Sequence, residues 1–315
     1  MDDMSIFVVL RQIAPLFILM AIGILLGRIK MVDSHFTKVM SQICMNVLFP
    51  ASIIKSFYAK ITPDMIREGM TLILAGGITV VVTFLLAYSL NRKLKIQIPS
   101  SNVVYFTLMF SNFGFVGVGM LTAVYGDKGL FYMTMFCILL RFTFNSLGTC
   151  IMQRCESDTN PISFRRVFLN PPIIALLVAI MIMVTQVRLP AVIETTMYDL
   201  AACLSPMGML TVGMITASFS IRDFFDDSRV YLLSGLRLLG IPLVGTVIMY
   251  LAGMRGLMMT ATALTLALPA AANTSLLAER FNGDVKLGTK VVTVTNVFSI
   301  ITIPIVVTFA EMLAR

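Results

Sequence analysis

Residues 111–119 read Ser111-Asn112-Phe113-Gly114-Phe115-Val116-Gly117-Val118-Gly119, three glycines and an amide in the middle of an apolar run. A second apolar run contains Ala267-Leu268-Pro269-Ala270-Ala271-Ala272-Asn273-Thr274-Ser275, a proline followed by three polar side chains. In lipid, a helix broken in this way is tolerated only where its freed N–H and C=O groups are buried in protein or line a cavity. Interrupted helices at corresponding places in two halves of a chain are the sequence pointer to a midplane solute site. Asn112, Gly117, Pro269 and Asn273 are therefore candidate solute-binding residues, and Gly114 and Gly119 candidate helix breaks. The half-helix N-termini beyond such breaks, facing each other, would offer partial positive charge to an anionic group. The competing reading is close helix packing through small residues; it accounts for the glycines but not for Pro269 followed by Asn273-Thr274-Ser275.

The chain around these stretches is suited to a bilayer. Of its 315 residues 58% are hydrophobic and 13% charged, with a mean hydropathy of +0.92; an ordinary soluble domain is roughly 25% charged. An all-α membrane protein is expected. Ten apolar segments can be marked, at 5–27, 36–57, 68–90, 102–125, 129–152, 171–187, 196–218, 229–251, 257–279 and 287–312. Ten helices of about 20 residues each leave no room for a large soluble domain. The longest polar stretch, QRCESDTNPISFRRVFLN at 153–170, ends in the helix start Asn170-Pro171-Pro172. It reads as a cytoplasmic connection between two five-helix halves, 1–152 and 171–315. Because each half holds an odd number of spans, a second copy would be inverted relative to the first. Two matches favour such a repeat. Gly77-Ile78-Thr79-Val80-Val81 in segment three resembles Gly240-Ile241-Pro242-Leu243-Val244 in segment eight, and segments two and seven share mid-helix prolines, Pro50 and Pro206, read here as helix breaks.

Lys and Arg placement sets the orientation. With the N-terminus outside, fourteen Lys and Arg fall in cytoplasmic loops and six in external ones, so both termini are expected to be external, in a multi-pass protein of the cytoplasmic (inner) membrane. All eight tyrosines fall near expected helix ends, where an amphipathic ring suits the interface. The acidic start Met1-Asp2-Asp3-Met4, with no small-residue cleavage site after the apolar run, is expected not to be a signal peptide. The net charge of +8 fits this Lys/Arg bias, and no nucleic-acid partner is expected.

Titratable groups are few. His35 is the one histidine, and Cys44, Cys137, Cys150, Cys155 and Cys203 show no metal-ligand spacing, so no metal or cofactor is expected. A lipid-modifying enzyme would need a nucleophile with its base, or a metal, and the spans offer no His and no acidic pair; no enzyme is expected. Arg141 lies near the middle of segment five, where an Arg costs roughly 2.5–3.5 kcal/mol on the lenient insertion scale. Two readings stand for it: a fork that captures a substrate carboxylate, or a structural cation capping carbonyls freed by a broken helix. Asn145, one turn on, and Asn296 in segment ten are candidates to hydrogen-bond the solute. Arg11 and Lys55 are expected to snorkel, and Arg237 is a secondary candidate for anion contact. Carboxylates are missing from the span interiors, where an ion-coupled carrier usually places them. That leans toward a potential-driven anion carrier, with sodium or proton coupling and a sensor without flux as the alternatives.

Five motifs carry a family resemblance. They are Asn46-x-x-x-Pro50; Ser111-Asn112 to Gly117; Asn170-Pro171-Pro172-Ile173-Ile174-Ala175-Leu176-Leu177; Met207-Gly208-Met209-Leu210-Thr211-Val212-Gly213-Met214; and Leu268-Pro269-Ala270-Ala271-Ala272-Asn273 with Ala278-Glu279-Arg280-Phe281. In this order, over nearly the whole chain, they resemble the auxin efflux carrier family. The resemblance implies ten helices in two inverted repeats of five, a scaffold part and a transport part, broken helices four and nine crossing at the substrate site, and a homodimer. Bacterial members are mostly described as permeases for malate or similar organic anions, and plant members carry auxin, also a carboxylate. Plant carriers tend to have Gly-x-Pro where this sequence has Gly117-Val118-Gly119, and many have a long hydrophilic central loop absent here. The short prokaryotic type is implied, with a small carboxylate such as malate as the solute and the bilayer as its setting.

Overall fold

The computed structural model describes residues 6–58, 62–153, 171–217 and 227–314. These residues are helical apart from short connections, with no strand among them beyond one isolated bridge. The expected connection over 153–170, apart from Gln153, and the chain ends lie outside the described residues. Helix occupies most of every apolar segment marked in the sequence, with interruptions inside the fourth and ninth. Six of the helical stretches are long and apolar enough to cross a membrane: 34–58, 64–93, 113–153, 191–217, 228–251 and 285–314.

In chain order, α1 is Ile6–Arg28, α2 Ser34–Ile43, α3 Phe49–Tyr58, α4 Pro63–Lys93, α5 Ser100–Met109, α6 Val118–Thr143 and α7 Thr149–Gln153. There follow α8 Pro171–Thr185, α9 Ala191–Ala217, α10 Ser228–Gly235, α11 Ile241–Leu251, α12 Gly256–Ala267, α13 Asn273–Arg280 and α14 Val285–Ala314. Wider π turns at Cys44–Leu48, Phe113–Gly117, Phe144–Gly148 and Leu236–Gly240 lead into α3, α6, α7 and α11.

Local chemistry explains where these helices start and where they continue. Asp33 caps α2 by accepting the Phe36 N–H at 2.7 Å. Pro50 lacks an N–H and its ring crowds the carbonyl four residues back. The π turn just before it, in which the Phe49 N–H bonds Cys44 O, lets the helix go on. Helix α9 likewise runs through Pro206 without interruption. The breaks expected at these two prolines are therefore absent, because a proline removes one hydrogen bond and local adjustment absorbs the loss. Gly114 and Gly119 also lie in helical turns. Gly119 is a packing glycine, since a Cβ there would collide with the Ser205 hydroxyl. Segments four and five join at Gly126, whose φ of 63° and ψ of −157° interrupt α6; that region of backbone space is open essentially to glycine alone.

The described residues form two compact units. One holds those within 1–71, 113–135 and 168–218, the other those within 72–112, 136–167 and 219–315. In the first, α1 and α9 approach backbone to backbone: a Cβ at Gly213 would strike Met20 O, and one at Gly23 would strike Leu210 O. Phe57 packs edge-on against Phe131, with ring centroids 5.2 Å apart. Lys55 does not simply snorkel, since its ammonium lies 3.1 Å from the Asp127 carboxylate. The Tyr58 hydroxyl donates to Glu194 (3.1 Å) and accepts the Leu189 N–H (3.2 Å), and Tyr132 donates to Glu68.

In the second unit, the buried Phe106 and Phe110 and the half-buried Phe144 form a triangle of rings with centroids 4.9–5.1 Å apart. Gly148 admits two of these rings, and Gly76 lets α4 approach the Phe136 carbonyl. This unit contains both main-chain interruptions flagged in the sequence.

Candidate functional site

Helix α5 stops at Met109, and Phe110 is extended (φ −120°, ψ 126°). Helix α12 stops at Ala267, and Leu268 is extended (φ −60°, ψ 145°). Ser111, Asn112, Leu268, Ala270, Ala271 and Ala272 are all buried. Freed backbone groups in such a place must find partners, because an unsatisfied buried group costs about 1–3 kcal/mol.

The two interruptions satisfy each other. The Asn112 N–H donates to Pro269 O (2.8 Å) and the Ala271 N–H to Phe110 O (3.2 Å), making an isolated antiparallel bridge between Ser111 and Ala270. The Ala270 N–H donates to the Thr295 hydroxyl oxygen (3.2 Å), while that hydroxyl donates back to Val291 O (2.7 Å) in α14. Beyond the bridge, Thr274 donates its N–H to Ala271 O (2.9 Å) as α13 begins.

The carbonyls at the two helix ends converge on Arg237. Its guanidinium, 2% exposed, donates from Nε to Leu268 O (3.2 Å), from Nη1 to Leu108 O (3.3 Å) and from Nη2 to Leu266 O (3.1 Å). Capping of freed carbonyls, one of two readings open for Arg141, is what Arg237 does. A planar fork of fixed donors suits three carbonyls better than a single ammonium would.

The other sequence candidates are distributed around this core. Arg141 is 3% exposed in α6, one turn after the buried Cys137. Asn145 donates from Nδ2 to Arg141 O (2.9 Å), and Asn296 from Nδ2 to Val292 O (2.9 Å), so each amide turns toward its own helix. Asn273, half-buried, is the first residue of α13. Gly117 closes the π turn Phe113–Gly117, and with Gly114, Gly119, Pro50 and Pro206 it belongs to the first unit. Sequence reasoning passed over Thr295 in favour of its neighbour Asn296. The signal that could have found it is a hydroxyl in the run Thr293-Val294-Thr295-Asn296, polar in an apolar helix.

Among the described side chains the buried charged residues are Arg141, Arg237 and Lys290, and no Asp or Glu is buried. No group of three or more His, Cys, Asp or Glu side chains placed to hold a metal ion occurs among the described residues.

A separate pocket of about 210 Å³ is lined by Asp227, Arg229, Asp284, Lys286, Leu287 and Lys290. Its carboxylates cap helices: Asp227 accepts the Arg229 N–H (3.0 Å) at α10, and Asp284 accepts the Leu287 N–H (2.9 Å) at α14 and the Ser100 hydroxyl (2.6 Å). The Arg229 guanidinium, hydrogen-bonded to Asp227 Oδ2 at 2.7 Å, holds that carboxyl below the usual carboxylate range.

A family model described as membrane transport protein matches residues 8–307. An uncharacterized transporter of Methanothermobacter thermautotrophicus is 23% identical over 299 residues, which is 94% of this chain and 96% of that protein.

Proposed function

The chain belongs to the membrane transport protein family, the auxin efflux carrier family its motifs resemble, and from that premise we propose that it carries a small organic anion, malate or a related carboxylate, by alternating access. The observation that carries this reading is the sign of the buried charge: the charged side chains buried among those described are all cations. An anion entering such an interior meets attraction in a low dielectric, whereas a cation is repelled. Movement down the membrane potential, without a coupling ion, is the favoured mode, supported by the lack of a buried carboxylate among the described side chains. An inside-negative potential then favours export, by about 2.3 kcal/mol per charge per 100 mV.

The remaining architecture is part of the same proposal. Ten spans form two inverted repeats of five, in the cytoplasmic membrane with both termini outside, and assemble as a homodimer. The interruptions fall in the fourth and ninth apolar segments, one in each half, which supports the repeat. Asn112, Pro269 and Asn273 lie in those interrupted stretches, and Arg141 is the fork offered to the carboxylate.

Purified protein in liposomes tests the reading. Radiolabelled malate should accumulate when a potassium gradient with valinomycin makes the interior positive, equally with and without sodium or a pH gradient. Arg141→Ala should remove this flux while the protein stays folded. A flux that requires sodium or a pH gradient would replace uniport by coupled transport. No flux of malate or any carboxylate in a panel that includes indole-3-acetate would overturn the anion assignment.

A further inference from the structure

Arg237 neutralises two helix ends at once. Leu108 O lies at the C-terminal end of α5, and Leu266 O and Leu268 O at that of α12; all three accept from the one buried guanidinium. The C-terminus of a helix behaves as about −0.5 elementary charge. Two such ends in one buried place amount to about −1, opposite in sign and equal in size to Arg237. With Arg237 in place the two helix ends carry about no net charge. Without it they present about −1 to whatever approaches them.

We infer that Arg237 is a specificity-determining residue, which makes the interrupted helices acceptable to an anion by cancelling their negative ends, without touching the solute. The inference rests on the proposed anion transport. It separates two tasks: Arg237 sets the background potential, and any direct contact with a carboxylate falls to other groups. A guanidinium already donating to three carbonyls has its fork directions committed, so its effect on a solute is through its charge.

The test compares an anion with its uncharged amide. Thermal stabilisation of detergent-purified protein by L-malate and by malamide reports binding by mass action. Arg237→Gln keeps donors for the carbonyls and removes the charge; Arg237→Lys keeps the charge and loses the fork. Wild type should prefer malate, Arg237→Lys should keep that preference at a lower melting temperature, and Arg237→Gln should lose about tenfold or more of it, the size of effect a partly buried helix-end charge supports. A folded Arg237→Gln protein with wild-type preference overturns the inference and leaves anion transport standing. If Arg237→Gln does not fold, a folded Arg237→Lys protein that has lost the preference overturns the inference, because the charge is still there. Wild type without any preference for malate overturns both readings.

Discussion

Thr295 holds the second interruption to α14 through one hydroxyl that accepts from Ala270 and donates to Val291. Replacing it by Val keeps the shape and leaves a buried N–H without its acceptor, a cost of about 1–3 kcal/mol. Thr295→Val should therefore melt measurably below wild type and Thr295→Ser close to it. Equal melting temperatures for Val and wild type would show that Ala270 finds another partner. Arg237 shows the same logic with a charge: a cation in the membrane interior is costly alone, and three carbonyls at 3.1–3.3 Å supply what water would have supplied. Both residues are visible in the sequence as polar letters in apolar runs. Their partners are not, because the Arg237 contacts reach 29, 31 and 129 positions along the chain.

Among the elements, glycines decide how closely helices approach. Gly213 in α9 lies against Met20 O of α1, so Gly213→Val forces the helices apart, and overpacking of this kind costs about 1–3 kcal/mol. Gly235, at the end of α10, has nothing within 4 Å of where its Cβ would be. Gly235→Ala should be neutral or stabilise by up to about 1 kcal/mol, since Ala loses less backbone freedom in a helix. Gly213→Val should melt below wild type and Gly235→Ala at or above it; a Gly213→Val protein as stable as wild type would refute the packing role of Gly213. The start of α10 adds a pH dependence. Asp227 is held below its ordinary value by Arg229, so its folded pKa is below its unfolded one. Its stabilisation is then present above the unfolded value of about 3.9 and is lost as pH falls through the folded value. The stability difference between wild type and Asp227→Asn should be full at pH 6 and shrink below pH about 4; a constant difference down to pH 2 would refute the assignment. Prolines, by contrast, mislead at this scale: Pro50 and Pro206 read as breaks, yet helix continues past both, at Pro50 with a π turn just before it.

For the whole molecule, orientation is the open quantity with the simplest measurement. On a background without native cysteines, single cysteines placed at residue 2 and beside Arg315 should both react with a membrane-impermeant maleimide added to intact cells. Labelling of either only after permeabilisation would reverse the expected sidedness. The sequence by itself determined a helical membrane protein, its family, and the neighbourhood of two helix interruptions, which fall at 110–112 and 268–272, because hydropathy, glycine and proline act locally and leave a linear trace. Tertiary structure decided what the failures mean. It paired Asn112 with Pro269 and Phe110 with Ala271, gave the carbonyls of Leu108, Leu266 and Leu268 to Arg237, and brought Lys55 to Asp127. Each of these joins groups far apart in the chain, and the same physics drives them all: a buried backbone group or charge takes whatever partner the fold brings near, and no local pattern of residues names that partner in advance.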